Sequence, residues 1–495
     1  YTPAEDTRIY LSVATLDSES NAYTREGFPD NNGRYTVDFN DGNPNTTETL
    51  STGLTIEHDL ANGYGFTSIT GGREDKGLLQ FDEDVSRQEG LFTRAITEQQ
   101  LFTQEFRLSS PADRWYDFVA GIYYLGQDNS KNHQQTIGAD WLPTFVGTVF
   151  LNGEVDVTSL AAFFHADFRL GESLTLFGGA RYTDEKKEMT WTQTSSPQDI
   201  LVAFGRESGV LDIPQDVESA EPSWMVGLRY AFTDDLMAYG KVATGFKSGA
   251  FSTGSSLTPQ DLIDNLVLEP EFTTSYEVGL KSSWLDNRLR LNAALFYINY
   301  EDLQVRSLDP DANFGAGRIV FQNAAEVTSK GFEIEAAAQL LDNLSFDVGI
   351  GYTDATFDKF EGVPDPKGGP LLDASGNRLP AAPQWTVNVA IQHEFSLANG
   401  ATWHSRLQYS FIDDRFGARG PANIAEQHLP SIGRLNARVG YQSAEEHWGV
   451  YLWAKNLTNE QKVVENTWFN FANNTGPIPK YSEPRTYGAT LKYHF

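Results

Sequence analysis

The chain has 495 residues, no cysteine and a formal charge of −30, from 67 acidic against 37 basic residues. That charge argues against nucleic acid as a partner, since phosphate binding needs a basic footprint, and the lack of thiols excludes disulfide staples and thiolate metal sites. No run of ~18 apolar residues marks a transmembrane helix, and the mean hydropathy of −0.40 would suit a water-soluble protein; a transmembrane barrel escapes that test, because only alternate residues of its strands meet lipid.

The opening residues Tyr1-Thr2-Pro3-Ala4-Glu5-Asp6 have neither the basic start nor the apolar core of a signal peptide, so the start of an exported protein is expected to be missing or removed. From there one unit recurs: an alternating segment, a very short polar turn, another segment, a long polar loop. The short turns fall at 59–63, 111–114, 170–172, 233–235, 285–287, 341–343, 397–400 and 444–446, rich in Asn, Asp and Gly, which tolerate tight hairpin backbone. The long loops are expected near 17–48, 75–96, 128–154, 187–220, 248–271, 302–325, 356–383, 413–430 and 458–483. Short turns at one end and long loops at the other are the habit of an outer-membrane barrel.

Alternation is cleanest toward the C-terminal half. Phe332, Ile334 and Ala336 oppose Glu333 and Glu335; Leu344, Phe346, Val348 and Ile350 oppose Ser345, Asp347, Gly349 and Gly351; Val387, Val389 and Ile391 oppose Asn388, Ala390 and Gln392. Leu435, Ala437 and Val439 oppose Arg434, Asn436 and Arg438. A charged face cannot meet lipid, so it must line a lumen. A β-propeller would need a motif repeating every ~40–50 residues, and none is present. About eighteen segments are countable, an even number that puts both ends on the short-turn, periplasmic side.

The last segment, Pro484 to Phe495, sets Tyr487, Ala489, Leu491, Tyr493 and Phe495 on one face against Thr486, Gly488, Thr490, Lys492 and His494 on the other. In a soluble sandwich such an edge would invite aggregation; in a bilayer the apolar face turns to lipid. The expected fold is therefore an all-β, transmembrane, antiparallel up-and-down β-barrel of about eighteen strands, with residues 1–495 as one unit.

Several stretches resemble the barrel of TonB-dependent outer-membrane receptors. They are Tyr239-Gly240-Lys241-Val242-Ala243-Thr244-Gly245-Phe246-Lys247-Ser248-Gly249-Ala250-Phe251, Leu268-Glu269-Pro270-Glu271 and Tyr276-Glu277-Val278-Gly279-Leu280-Lys281. Further along come Leu295 to Gln304, Asn323-Ala324-Ala325-Glu326, Ser329 to Glu335, Ala454 to Asn459 and the closing segment, so the likeness is dense over 220–495. A looser match, which includes Gln104-Glu105-Phe106-Arg107-Leu108, reaches back toward Asp6. The resemblance implies active transport of a scarce, bulky nutrient (a ferric siderophore, a corrinoid or an oligosaccharide) across the outer membrane. It implies as partners the inner-membrane TonB complex, the barrel-assembly machinery, which reads terminal aromatics, and outer-membrane lipid with lipopolysaccharide. Assembly should then depend on Tyr487, Leu491, Tyr493 and Phe495. Family barrels have about twenty-two strands behind an N-terminal plug. Here Tyr1 already lies in barrel-like sequence, so about four strands and the plug are expected to be missing, supplied upstream or by a second chain, unless the chain closes as a smaller barrel.

Catalytic constellations are weak, and no enzyme, cofactor or metal is expected. The eight histidines are scattered without a metal-ligand spacing, and Asp309 to Gly315 fails as a calcium loop because its glycine falls one place late and no closing Glu follows. The loops carry more. Aromatics at Trp141, Phe145, Phe150, Trp191, Phe251, Trp468, Phe469, Phe471 and Tyr481 either pack on one another or grip a ligand. Arg415 and Arg419 are the candidates for an anionic group on a small-molecule substrate. The rivals are a passive porin of about eighteen strands and a surface adhesion or assembly barrel.

Overall fold

A computed structural model describes residues 5–20, 44–82, 88–111, 114–140, 143–197, 199–203, 206, 208–210, 216–251, 267–309, 318–365, 367, 369–417, 420–471 and 474–494. Eighteen long strands dominate it. The first seven are β1 Thr7–Ser20, β2 Asn45–Asp59, β3 Gly65–Asp82, β4 Leu91–Ser109, β5 Tyr116–Ile137, β6 Gly147–Leu170 and β7 Leu174–Ser196. Next come β8 Asp216–Thr233, β9 Leu236–Lys247, β10 Glu271–Trp284, β11 Leu289–Asp309, β12 Arg318–Leu341 and β13 Leu344–Lys359. The last five are β14 Trp385–Ser396, β15 Thr402–Ile412, β16 Ile432–Gln442, β17 Trp448–Lys455 and β18 Thr486–Tyr493. Each pairs antiparallel with the next in sequence. With the two-residue strand Gly209–Val210 beside β7, the sheet counts nineteen strands. Among the described residues no ladder joins β1 to β18.

The expected turns that lie within the described residues join paired strands as hairpins, and 112–113 of the turn expected at 111–114 lie outside them. Leu285, Asp286 and Asn287 all take positive φ (56°, 54° and 64°) between β10 and β11, a conformation that Asp and Asn tolerate far better than a bulky residue. At Gly171, φ is +87° with open space around the missing Cβ, so a side chain there would be opposed by backbone strain alone.

One face of the sheet is apolar and exposed. On β8 it carries Trp224, Val226, Leu228, Tyr230 and Phe232, and on β10 Tyr276, Val278, Leu280 and Trp284. Trp224 and Phe232 stand eight residues apart, roughly 26 Å along a strand, near the height of a hydrocarbon band. Aromatics gather at both edges of the band. At the short-turn end Trp115 packs on Phe168 (5.7 Å) and Tyr441 on Trp448 (5.4 Å). At the long-loop end Tyr352 packs on Phe332 (5.8 Å) and Trp385 (4.9 Å). The opposite face is polar: Lys241 pairs with Glu277 (3.1 Å), Arg229 with Asp167 (3.2 Å). A recess of about 380 Å³ in that inner wall is lined by Arg290, Glu335, Asp347 and Arg406 among others. The register expected for Glu333, Glu335, Asp347, Asn388 and Val389 is the one observed, since Val348 lies opposite both Ala336 and Val389, and Gly349 opposite Glu335 and Asn388.

Several expected loops are in fact strand. The 128–154 segment is mostly the continuation of β5 and β6, and 187–196 the continuation of β7. Above the band, lipid no longer imposes an apolar outer face, so the alternation fades while the ladder hydrogen bonds continue.

Candidate functional site

The long-loop end is where side chains from different parts of the chain converge on the inner face. Even-numbered residues of β5 to β7, such as Tyr124, Leu160 and Tyr182, are exposed on the lipid side, so Lys131, His133, Leu151, Met189 and Trp191 face inward. There Leu91, Ile137, Val149, Leu151, Met189 and Trp191 form a core that is closed by Ile200 and Leu201 of the short helix α1, Asp199–Ala203. Phe251 packs against the same core. Trp191 is only 5% exposed, its Nε1 donates to Gln193 Oε1 (3.3 Å), and it covers Gly153, where a Cβ would approach the ring to 3.0 Å. It is thus a strand residue forming a wall, where the sequence suggested a loop residue.

Beside that wall lies a cavity of about 360 Å³ lined by Lys131, His133, Met189, Trp191, Glu98 and Asp75 among others. Burial, with Lys131 adding its charge, pushes His133 down to about 4, and its buried Nε2 has no hydrogen-bond partner among the described residues. Burial also lowers Lys131. Neither stands out in the sequence beyond being the two bases of the polar run 127–136.

A second inner core joins Val305, Val327, Phe357, Phe360, Val363 and Ala374. Beside it, side-chain bonds tie three structured loops to one another. Asn377 Nδ2 donates to Pro421 O (3.0 Å) and Asn423 Nδ2 to Arg378 O (3.1 Å). Lys367 pairs with Glu426 (2.7 Å), whose carbonyl accepts from Asn466 Nδ2 (2.9 Å). Arg415 lies in this assembly, in a two-residue pairing with Leu429, and its Nη2 donates to Val464 O (3.3 Å). Trp468, Phe469 and Phe471 occupy a separate hairpin, Val463–Phe471 with Asn474–Tyr481, opposite Pro477, Gly476 and Asn474; Tyr481 closes it opposite Val463. Tyr487, Leu491 and Tyr493 are 81%, 73% and 61% exposed on the apolar outer face. Trp141, Arg419 and Phe495 lie outside the described residues.

The quoted family motifs meet in one clamp at the upper ends of β7 to β12. Lys187 Nζ donates to Ser248 Oγ and Gly249 O (both 2.7 Å). Gln304 Nε2 donates to Ser248 O (3.1 Å) and Glu269 O (3.0 Å), and Asn323 Nδ2 to Glu269 O (2.8 Å). Their work is to tie loops down, not to present chemistry.

An apolar band between aromatic girdles, a charged inner face and folded loops at one end define an outer-membrane β-barrel. A family profile described as TonB dependent receptor-like, beta-barrel matches residues 2–457, and the chain belongs to that family of TonB-dependent outer-membrane receptors. It is 22% identical over 408 residues to the pesticin receptor of Yersinia pestis, covering 79% of this chain and 51% of that protein. With the ferric-pyoverdine receptor PbuA of a Pseudomonas strain it shares 27% identity over 204 residues, 41% of this chain and 22% of that one. Among solved structures, the ferric yersiniabactin uptake receptor FyuA from Yersinia pestis superposes with a TM-score of 0.79 at 17% identity, covering 99% of this chain and 68% of the other. The siderophore receptor PiuA from Acinetobacter baumannii gives 0.72 at 17%, covering 98% and 71%. The chain thus spans about half or less of the length of these curated relatives. They are receptors, not enzymes.

Proposed function

We propose that this chain forms most of the barrel of a TonB-dependent transporter that carries a ferric siderophore across the outer membrane. The observation that carries this reading is the family match over residues 2–457 together with relatives named for ferric siderophores. In this reading the remaining barrel strands and a plug complete the unit, bridging the outer edges of β1 and β18 that no described strand covers, and the plug engages the TonB complex. The charged inner wall around Arg290, Glu335, Asp347 and Arg406 suits contact with a polar plug better than an apolar filling. Lipid and lipopolysaccharide surround the apolar band, and the assembly machinery receives β18.

The test is iron-limited growth of a host lacking its own siderophore receptors, carrying the full-length receptor and supplied with single ferric chelates, with and without the proton gradient. Gradient-dependent growth on at least one chelate is expected. Growth on none, or a steady large single-channel current from the full-length protein in planar bilayers, would overturn the reading, the second in favour of a porin.

A further inference from the structure

We infer that the outer wall over β2 to β5 holds a groove for a saccharolipid of the outer leaflet, a lipopolysaccharide whose phosphates carry divalent cations. The groove lies on the lipid side of the barrel and does not depend on which cargo the receptor carries.

Two cross-strand rows build it. The lower row is Thr52, Gly72, Phe102 and Gly126, each directly opposite the next. The row above it, toward the long-loop end, is Leu50, Glu74, Gln100 and Asp128. Phe102 is 48% exposed on the lipid side, and alternation keeps residues two apart on one face, so both rows look outward. Phe102 stands as a ridge between two bare glycines, in a recess of about 390 Å³. Tyr124, next below Gly126 on the same face, packs on Phe102 with ring centroids 6.3 Å apart, an aromatic pair of the kind that marks a bilayer interface. The recess therefore opens at the upper margin of the apolar band, apolar at its floor and polar along its rim. An amphipathic lipid lying along the strands meets both, chains below and headgroup above. A second barrel docked by the same face would set carboxylate against carboxylate.

The rim sets the chemistry of the headgroup. Its row runs on from Asp128 through Asp156, Glu188 and Asp216 on β6 to β8, so that carboxylates stand directly opposite one another on neighbouring strands, an arrangement that repels. Lys76 pairs with Glu74 (3.2 Å), and Lys186 with Glu188 (2.8 Å) and Asp216 (3.8 Å). Among the described residues neither Asp128 nor Asp156 pairs with a base, and no group of three acids or histidines closes round a metal ion by itself. A cation that relieves the row must take its remaining ligands from outside the chain. Magnesium and calcium accept carboxylate and phosphate oxygens alike, so a phosphorylated, hydroxyl-rich headgroup completes their coordination and donates hydrogen bonds to the carboxylates left over.

The full-length receptor, isolated from outer membranes and stripped of lipid, should be titrated in magnesium-containing detergent with purified lipopolysaccharide and, separately, with phosphatidylethanolamine, and the bound lipid counted by native mass spectrometry. Lipopolysaccharide should be retained saturably, and phosphatidylethanolamine should not. Gly126→Leu, which fills the floor, should weaken retention roughly tenfold, as should Glu74→Gln combined with Asp128→Asn, which strips the rim, and a magnesium chelator added to the wild type. Val226→Leu, on the lipid face of β8, should change nothing. Heat-modifiable mobility identifies folded barrels, and the rim variant, altered above the apolar band, keeps the test decisive if Gly126→Leu does not assemble. Unchanged retention in folded groove or rim variants, retention that survives the chelator, or equal retention of phosphatidylethanolamine would overturn the assignment. A receptor dimer that Gly126→Leu dissolves would also overturn it, giving the face to a second copy.

Discussion

Arg378 grips Asp414 twice, through Nη1 to the carboxylate at 2.9 Å and through Nη2 to the backbone carbonyl at 2.7 Å. The pair links the loop after β13 to the one after β15, and Phe416 lies 6.0 Å from the same guanidinium. Arg378→Ala should loosen both loops by about 1–2 kcal/mol, a range already reduced for the partial exposure of Asp414. Hydrogen exchange of residues 372–384 and 413–417 should rise in the variant while β13 to β15 stay protected. Unchanged loop exchange would show that the second apolar core alone holds the assembly.

The same contact sets a pH dependence. Burial would raise the Asp414 carboxyl, but hydrogen bonds from Arg378 and His428 outweigh it and hold it below its ordinary value. The unfolded loop therefore protonates first on acidification. The stabilisation is complete above the unfolded value of about 4 and is lost as pH falls through the lowered folded value. Loop exchange in the wild type should accelerate only below about pH 4, and Asp414→Asn should be looser at neutral pH and lose that step.

His133 titrates in a different window. Its folded value of about 4 lies below the unfolded value of about 6.5, so the unfolded segment binds a proton that the folded one refuses. The upper parts of β4 to β7 should be fully stable above pH 6.5 and lose about 2–3 kcal/mol as pH falls to 4. Exchange of residues 128–137, followed from pH 7 to 4 in wild type and His133→Gln, would check this; the variant should be flat across that interval.

Lipid-facing and lumen-facing residues of β14 should respond in opposite ways. Val389→Arg should cost ~2–4 kcal/mol where it meets the bilayer interior, while Asn388→Arg should be tolerated in the polar lumen. A folding titration in lipid vesicles measures both. Equal costs would mean that β14 is turned over.

Leu491→Asp on the exposed face of β18 should lower membrane yield and abolish heat-modifiable mobility, because it puts a charge on the lipid side of the terminal strand. Thr490→Asp, facing the other way, is the matched control and should assemble.

The band-crossing architecture was legible in the sequence because lipid enforces a period of two: Val387, Val389 and Ile391 alternate only because one face meets hydrocarbon. The turns at Leu285-Asp286-Asn287 were legible for a local reason, their tolerance of left-handed backbone. Above the band that enforcement ends, so β5, β6 and β7 continued as strands where loops were expected. The candidate site is legible in the sequence only in fragments. Trp191 and Phe251 stood out as aromatics in polar surroundings, yet nothing local says that they share one core 60 residues apart in sequence. The sequence sets Arg415 beside Arg419, its neighbour in the chain, whereas the charge that acts on it among the described residues is that of Arg434 on another strand. Pairings of that kind depend on the register of the whole sheet.

The two sides of the mouth are built of different material. On one side β5, β6 and β7 run 22, 24 and 23 residues as continuous ladder; on the other β16, β17 and β18 stop after 11, 8 and 8 residues, and folded loops held by side-chain bonds take over. Bending the first side means breaking backbone hydrogen bonds in rows, whereas bending the second means breaking side-chain bonds between loops. The long-loop end therefore resists deformation in two ways, through rows of backbone hydrogen bonds around Trp191 on one side and through side-chain bonds such as that of Arg378 to Asp414 on the other.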